Sequence, residues 1–223
     1  IYVESDMMKS ALQRRGFENA VVMYNFKELE PLAESDIEYP KSEPYKLCTF
    51  SRVMKEKGIE DAINAVESVN AHFGRTVYTL DIFGQVDVEY KERFSQLEKS
   101  FPDYISYGGA IEANKSVETL KSYFALQFPT YYKGEGFAGT LIDAMSAGVP
   151  VIASDWKYNP EFVVPGKTGV IIKNCNAERL AEELINIAAA PEKWNSMRLS
   201  ALKESEKYRP DIAARPLIDR ING

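Results

Sequence analysis

Histidine, cysteine and tryptophan are scarce in this chain, and each scarcity removes a class of chemistry. His72 is the only histidine. It falls at the end of an apolar-striped segment, where a structural role is expected. A Ser-His-Asp triad or a histidine-built metal site therefore has little to draw on. The two cysteines, Cys48 and Cys175, lie in neither a CxxC motif nor a Cys/His cluster. That argues against a disulfide framework and a structural zinc site, and the expectation is free thiols in a reducing compartment. No apolar run approaches the ~18 residues needed to span a membrane. No basic run occurs either, and 27 lysines and arginines against 33 acids leave a net charge of −6. Nucleic-acid binding, which needs a basic patch to displace counterions, is not expected. A small anion remains open, because it needs only a few local cations.

What is present reads as a water-soluble globular chain, and its 223 residues can bury a core without staples. The chain opens on Ile1-Tyr2-Val3, which reads as the end of a strand, so a fragment of something longer is expected. Residues 6–15 look helical and stop at Gly16; 21–23 form a short strand. Residues 27–44, with Pro31, Pro40 and Pro44, read as a linker. Strands and helices then alternate. Strands are expected at 45–50, 77–83, 104–107, 124–129, 151–154 and 170–172. Helices are expected at 58–73, 87–99, 115–122, 138–147 and 177–190, with further helical stretches near 192–207 and 211–221. This alternation predicts an α/β fold with right-handed crossovers and a mainly parallel, doubly wound sheet. Such sheets bind ligands beyond the carboxyl ends of their strands, so the residues that follow each strand are the ones to inspect.

Two such segments carry chemistry. Ser51-Arg52-Val53-Met54-Lys55-Glu56-Lys57-Gly58 follows the first strand of the alternation and leads into a helix. Three cations near a helix N-terminus sit at the wrong end for the helix dipole, and so point to an anionic ligand. A solvated loop, with Glu56 and Glu60 as partners, accounts for them equally well. The second is Gly134-Glu135-Gly136-Phe137-Ala138-Gly139-Thr140-Leu141-Ile142-Asp143, between a strand and a helix. Its glycines permit close approach of a ligand, and the helix start offers free N–H groups. Asp143 lies about 200° around the helix from Leu141, so it is expected off the buried stripe. A glycine loop required only for its turn, with a surface aspartate, is the plain alternative.

Gly134, Gly136 and Gly139 also match G-x-G-x-x-G, with Asp155 on the far side of the next strand. A dehydrogenase is disfavoured for three reasons. Four residues separate the strand from the first glycine, a carboxylate stands between the glycines, and three strands precede the motif rather than follow it.

Together the segments resemble glycosyltransferase family 4, over nearly the whole chain. The resemblance rests on R-x4-K-G at Arg52, Lys57 and Gly58, on Gly84 after the second strand, and on Glu135-Gly136-Phe137 with a second acid, Asp143, eight positions on. It implies one Rossmann-like half of a two-domain GT-B enzyme, with retention of configuration. Residues 1–26 would be a remnant of the N-terminal acceptor domain, 27–44 a linker, and 45–205 the nucleotide-sugar domain. Residues 206–223 would be a C-terminal helix crossing back to the missing half. Arg52 and Lys57 would neutralise the departing diphosphate, and Glu135 would bind the donor sugar. Backbone from Gly136 through Phe137, Ala138 and Gly139 to Thr140 would touch sugar and phosphates. Gly84 would be a further donor contact, Ala110 would lie by the base, and Asp143 would hold the ribose.

The co-substrate implied is a UDP- or GDP-linked sugar, without a cofactor or metal. The acceptor would be a glycan or lipid-linked saccharide held by the missing domain. The segment from Ala153 to Glu161 is similar to that of bacterial polysaccharide-synthesis members, and suggests capsule or exopolysaccharide assembly. The location implied is the cytoplasm, or its face of the inner membrane by way of the missing domain. Asp143 is one methylene shorter than the family's usual glutamate, and Ala138-Gly139 replaces a glycine and a larger residue. A non-catalytic nucleotide-sugar module and a sugar-nucleotide epimerase on the same scaffold stand as alternatives. The fragment alone is expected to bind donor weakly and to transfer little sugar.

Overall fold

The computed structural model describes residues 1–222. Strand β1 (Tyr2–Val3), helix α1 (Asp6–Gln13) and β2 (Val21–Val22) form a small unit in which the two strands pair in parallel. Ser5 starts α1, its side chain accepting from the Met8 amide at 3.0 Å. The chain then runs without strand or α-helix to β3, apart from a 3-10 turn at Glu34–Asp36.

The alternation that follows comprises β3 (Tyr45–Phe50), α2 (Ile59–Phe73), β4 (Tyr78–Phe83), α3 (Lys91–Glu98), β5 (Ile105–Gly109) and α4 (Ser116–Leu120). It continues through β6 (Ala125–Phe128), α5 (Gly139–Ser146), β7 (Val151–Ser154), α6 (Asn159–Phe162), β8 (Gly169–Ile172) and α7 (Ala177–Ala189). The sheet order is β5-β4-β3-β6-β7-β8, and every pair is parallel. The order reverses between β3 and β6, which opens a crevice at their carboxyl ends. Both faces of the sheet are covered, as parallel sheets require. Leu47, Leu80 and Ile152 meet α2 and α7 on one face. Cys48, Leu126 and Val151 meet Leu141, Ala144 and Met145 of α5 on the other.

The C-terminal region differs from the long helices expected. It is broken into α8 (Pro191–Asn195), α9 (Arg198–Ser205), a 3-10 turn at Glu206–Tyr208, α10 (Pro210–Ala213) and α11 (Arg215–Asn222). Pro191 and Pro210 each open a helix, because proline tolerates the first turn and disrupts the interior. The expected single helix over 206–223 is thus interrupted, and residue 223 lies outside the described residues. Arg198 is fully buried and donates to the carbonyls of Tyr123 and Lys121, both at 2.8 Å, fastening α9 to the end of α4. Burial pulls its guanidinium down to about 10. His72 is exposed at the end of α2, edge-on to Phe73. Among the described residues no helix is long and apolar enough to cross a membrane.

The N-terminal unit docks on the large domain through specific polar contacts. Glu161 accepts from the amides of Asp6 at 2.6 Å and Met7 at 3.1 Å, so it caps α1. Glu4 accepts from the Phe137 amide at 3.1 Å, and Asn25 donates to the Phe137 carbonyl at 3.0 Å. Tyr24 stands edge-on to Phe162 and Tyr208.

Candidate functional site

The crevice between β3 and β6 holds a cavity of about 460 Å³, a size ordinary for small-molecule sites. Its walls are built where strands stop. After β3, the Ser51 amide donates to the Phe83 carbonyl at 3.1 Å and the Val53 amide to the Gln85 carbonyl at 2.9 Å, which holds the two exits side by side. Only glycine fits at 84: its φ is +137°, and a Cβ there would stand 1.7 Å from the Ser51 carbonyl oxygen. Gly58 has the same office at the start of α2. Its φ is +73°, and a Cβ would come within 2.4 Å of the Pro129 carbonyl oxygen. These two contacts bring the Arg52–Lys57 loop against the exits of β4 and β6.

Lys57 does not point to solvent. Its ammonium reaches Glu135 Oε1 at 2.8 Å and Oε2 at 2.7 Å, with 11 % and 6 % of the two side chains exposed. Thr130, fully buried, donates to Glu135 Oε2 at 2.7 Å. The rings of Phe128 and Tyr132 flank the ammonium at 5.4 and 5.2 Å. Tyr132 is fixed in turn by Trp156, whose indole donates to its carbonyl at 2.6 Å. Lys57 is thus withdrawn from the solvated loop and Glu60 pairs with Arg93, while Arg52 and Lys55 stay exposed. Arg52 is 59 % exposed and only loosely held, 3.7 Å from Asp87. It can swing over the cavity it lines.

Opposite these cations, α5 begins at Gly139 with Ala138 as its cap residue and no side-chain cap. Its first N–H groups are thus available to an anion. Thr140 donates its hydroxyl to the Phe50 carbonyl, which locks the helix start to the end of β3.

Nine of the eleven residues expected at the site line the cavity: Arg52, Lys57, Gly84, Ala110, Glu135, Ala138, Gly139, Thr140 and Asp143. Gly136 and Phe137 stand behind its wall. The Phe137 ring is buried, stacked on Phe162 at 3.6 Å and edge-on to Tyr208, and its amide is turned to Glu4. Phe137 thereby fastens the glycine loop to the N-terminal unit, and neither residue lines the cavity. Glu161 caps α1 and takes no part in the cavity lining.

Asp143 corrects the helical-wheel expectation. It is 1 % exposed, and Lys27 donates to its Oδ2 at 2.6 Å. The wheel argument assumed one covered face. In fact α5 packs against α9 and α4 and is overlaid by the segment read as a linker, where the Leu32 amide also donates to the Ser146 carbonyl at 2.8 Å. Lys27 and Thr130 were not anticipated at the site. Thr130, a polar residue closing an apolar strand, was the one local signal; Lys27 left none.

A family model for glycosyl transferases of group 1 matches residues 33–204. The chain belongs to this family. It is 30 % identical, over 178 residues, to the UDP-N-acetylglucosamine–peptide N-acetylglucosaminyltransferase GtfA subunit of Streptococcus gordonii, covering 76 % of this chain and 34 % of that protein. It is 27 % identical over 188 residues to the poly(glycerol-phosphate) alpha-glucosyltransferase of Bacillus subtilis, covering 82 % of this chain and 26 % of that protein. A crystal structure of HepE from Anabaena in complex with UDP and glucose shares the fold. Its TM-score is 0.81 at 17 % identity, over 99 % of this chain and 62 % of that one. This group 1 chain spans about a third of the length of the curated relatives it matches.

Proposed function

We propose that this chain is the donor-binding half of a retaining, family 4 glycosyltransferase, and that the complete enzyme moves a sugar from a nucleoside diphosphate to a glycan or lipid-linked acceptor in polysaccharide synthesis. The observation that carries the reading is one cavity at the switch point, with Lys57, Arg52 and the open N-terminus of α5 around it and Glu135 buried at its edge. In the reaction the bond from the anomeric carbon to the diphosphate oxygen breaks, and its electron pair stays on the phosphate. The acceptor hydroxyl oxygen bonds to the anomeric carbon and passes its proton to the departing diphosphate oxygen. The protein supplies charge stabilisation: Arg52, Lys57 and the Gly139 and Thr140 amides face the growing negative charge. Glu135 receives hydroxyls of the donor sugar, and Asp143 those of the ribose. The acceptor is held by a second domain, which residues 1–26 and the C-terminal helices join.

Support comes from the sugar-transfer activities of the relatives, from the UDP and glucose of the HepE structure, and from family membership. The test is a thermal-shift panel of UDP-glucose, UDP-N-acetylglucosamine, GDP-mannose and ADP-glucose against this chain. A ligand that binds only the folded state must raise its melting temperature. At least one nucleotide sugar is expected to do so, and no shift with any at millimolar concentration overturns the reading. Transfer itself is tested with both domains present, where Glu135→Ala is expected to abolish turnover while donor binding changes modestly.

A further inference from the structure

Lys27 belongs to the stretch that precedes β3, 116 positions from the residue it contacts. Its stem lies across the start of α5: a Cβ at Gly139 would come within 3.1 Å of Lys27 Cε and 3.6 Å of Nζ. Its ammonium lines the cavity and donates to Asp143 Oδ2 at 2.6 Å, with 30 % of the lysine side chain exposed against 1 % of the aspartate. Asp143 Oδ1 is buried and has no hydrogen-bond partner among the described residues. A buried carboxylate with one oxygen unmet is costly unless a ligand meets it. Asn25 fixes the backbone two residues earlier by donating to the Phe137 carbonyl. Lys27 therefore arrives at Asp143 from a stretch anchored two residues earlier.

We propose that Lys27 is a positioning residue of the donor site. By holding Oδ2, it fixes the Asp143 carboxylate at the cavity wall, with the unmet oxygen left to accept from the ribose hydroxyls of the nucleoside diphosphate. This deepens the donor-site reading above and rests on it. The carboxylate does the recognition; the ammonium sets its rotamer and keeps its charge matched when the site is empty. A merely structural Lys27 would tie the connecting segment to α5 and be indifferent to the sugar of the nucleotide.

The test uses the full chain and four probes, UDP, GDP and their 2′,3′-dideoxy forms, with Lys27→Met and Lys27→Gln as variants and the melting temperature of each as a control. Wild type is expected to prefer the ribose form of one nucleotide over its dideoxy form roughly tenfold, the worth of a hydrogen bond to a charged group. In Lys27→Met, affinity for the ribose form is expected to fall toward that of the dideoxy form, whose own affinity stays put. Lys27→Gln, which keeps a donor but no charge, is expected to fall between. Equal loss for both forms, or unchanged preference for ribose in both variants, overturns the proposal while leaving the donor site standing. Failure of wild type to bind either ribonucleotide overturns the donor-site reading, and this inference with it.

Discussion

Replacing Lys57 with methionine isolates the interaction on which the site depends. The change keeps an unbranched stem between Phe128 and Tyr132 and removes only the ammonium. Glu135 is then left with Thr130 as its one polar partner, at 6 % exposure. Removing one member of a buried pair costs about 3–5 kcal/mol, since the other charge stays buried and unmet. The cavity beside this pair admits water, so the low end, about 3 kcal/mol, is expected. In a chain of this size each kcal/mol moves the melting temperature by about 2–4 °C, giving a drop of about 6–12 °C.

Adding Glu135→Gln to Lys57→Met removes the stranded charge and keeps an acceptor for Thr130, so most of that drop should return. The double-mutant cycle then reports a coupling of about 2 kcal/mol. The same melts with UDP give the functional half. At a hundredfold excess over its dissociation constant, UDP stabilises wild type by about 2.7 kcal/mol. Losing a charge-assisted contact to the diphosphate weakens binding by about 1.5–3 kcal/mol, which cancels most of that shift in Lys57→Met. A single variant melting within about 2 °C of wild type would refute the buried pair. An undiminished UDP shift would refute its role toward the diphosphate.

Glu161→Ala removes the cap on α1 and is expected to cost about 1 kcal/mol, with faster amide exchange at Asp6 and Met7 and unchanged nucleotide affinity; a loss of affinity would place Glu161 in the site after all. Gly84→Ala drives a Cβ into the Ser51 carbonyl and is expected to cost more than about 3 kcal/mol, seen as a soluble yield or melting temperature well below wild type. Gly139→Ala, whose new Cβ meets only the flexible stem of Lys27, should leave the melting temperature nearly unchanged and weaken nucleotide binding by displacing that lysine. Burial pushes the Cys175 thiol up to about 12 and the fully buried Cys48 thiol well above its ordinary value. Neither is a thiolate at pH 8 in the folded chain, so a thiol-specific chromogenic reagent should react slowly with half-buried Cys175 and with Cys48 only on unfolding, and prompt labelling of Cys48 in native protein would contradict its burial.

The parallel sheet was legible because its strands are short, rich in apolar residues and punctuated: Tyr45–Phe50 and Val151–Ser154 run as expected to the residue. The site segments were legible for a topological reason. In a doubly wound sheet the turns after the strands converge, so unusual chemistry at Arg52–Lys57 and Glu135–Asp143 had to share a crevice. What stayed hidden was long-range cover. Asp143 was misread because periodicity records one packing face, and α5 is covered also by α4, α9 and the stretch that carries Lys27 and Leu32. Phe137 lies in the segment expected to touch donor, yet its ring completes a cluster with Tyr24, Phe162 and Tyr208, drawn from four separate stretches of chain. Nothing local to any of the four announces it. Lys27 was hidden for the same reason, since its polar, proline-punctuated surroundings read as linker.

The charges around the cavity follow a common pattern. Each carboxylate is matched to a lysine, Glu135 to Lys57 and Asp143 to Lys27, while Arg52 keeps only a distant exposed partner. Three cations against two carboxylates leave the lining positive in a chain whose net charge is −6. An anion is thus drawn to this crevice by local arrangement and not by the field of the whole molecule. The pairing also shows how buried carboxylates could be kept in a crevice proposed to bind a diphosphate. Unpaired, they would repel it; paired, they are neutral at rest. On the proposed reading, Lys57 has further N–H groups to turn toward phosphate oxygens as charge accumulates there. The lysine that holds Glu135 in the empty site would then be the one a leaving diphosphate recruits, so stability and charge stabilisation would be drawn from one side chain.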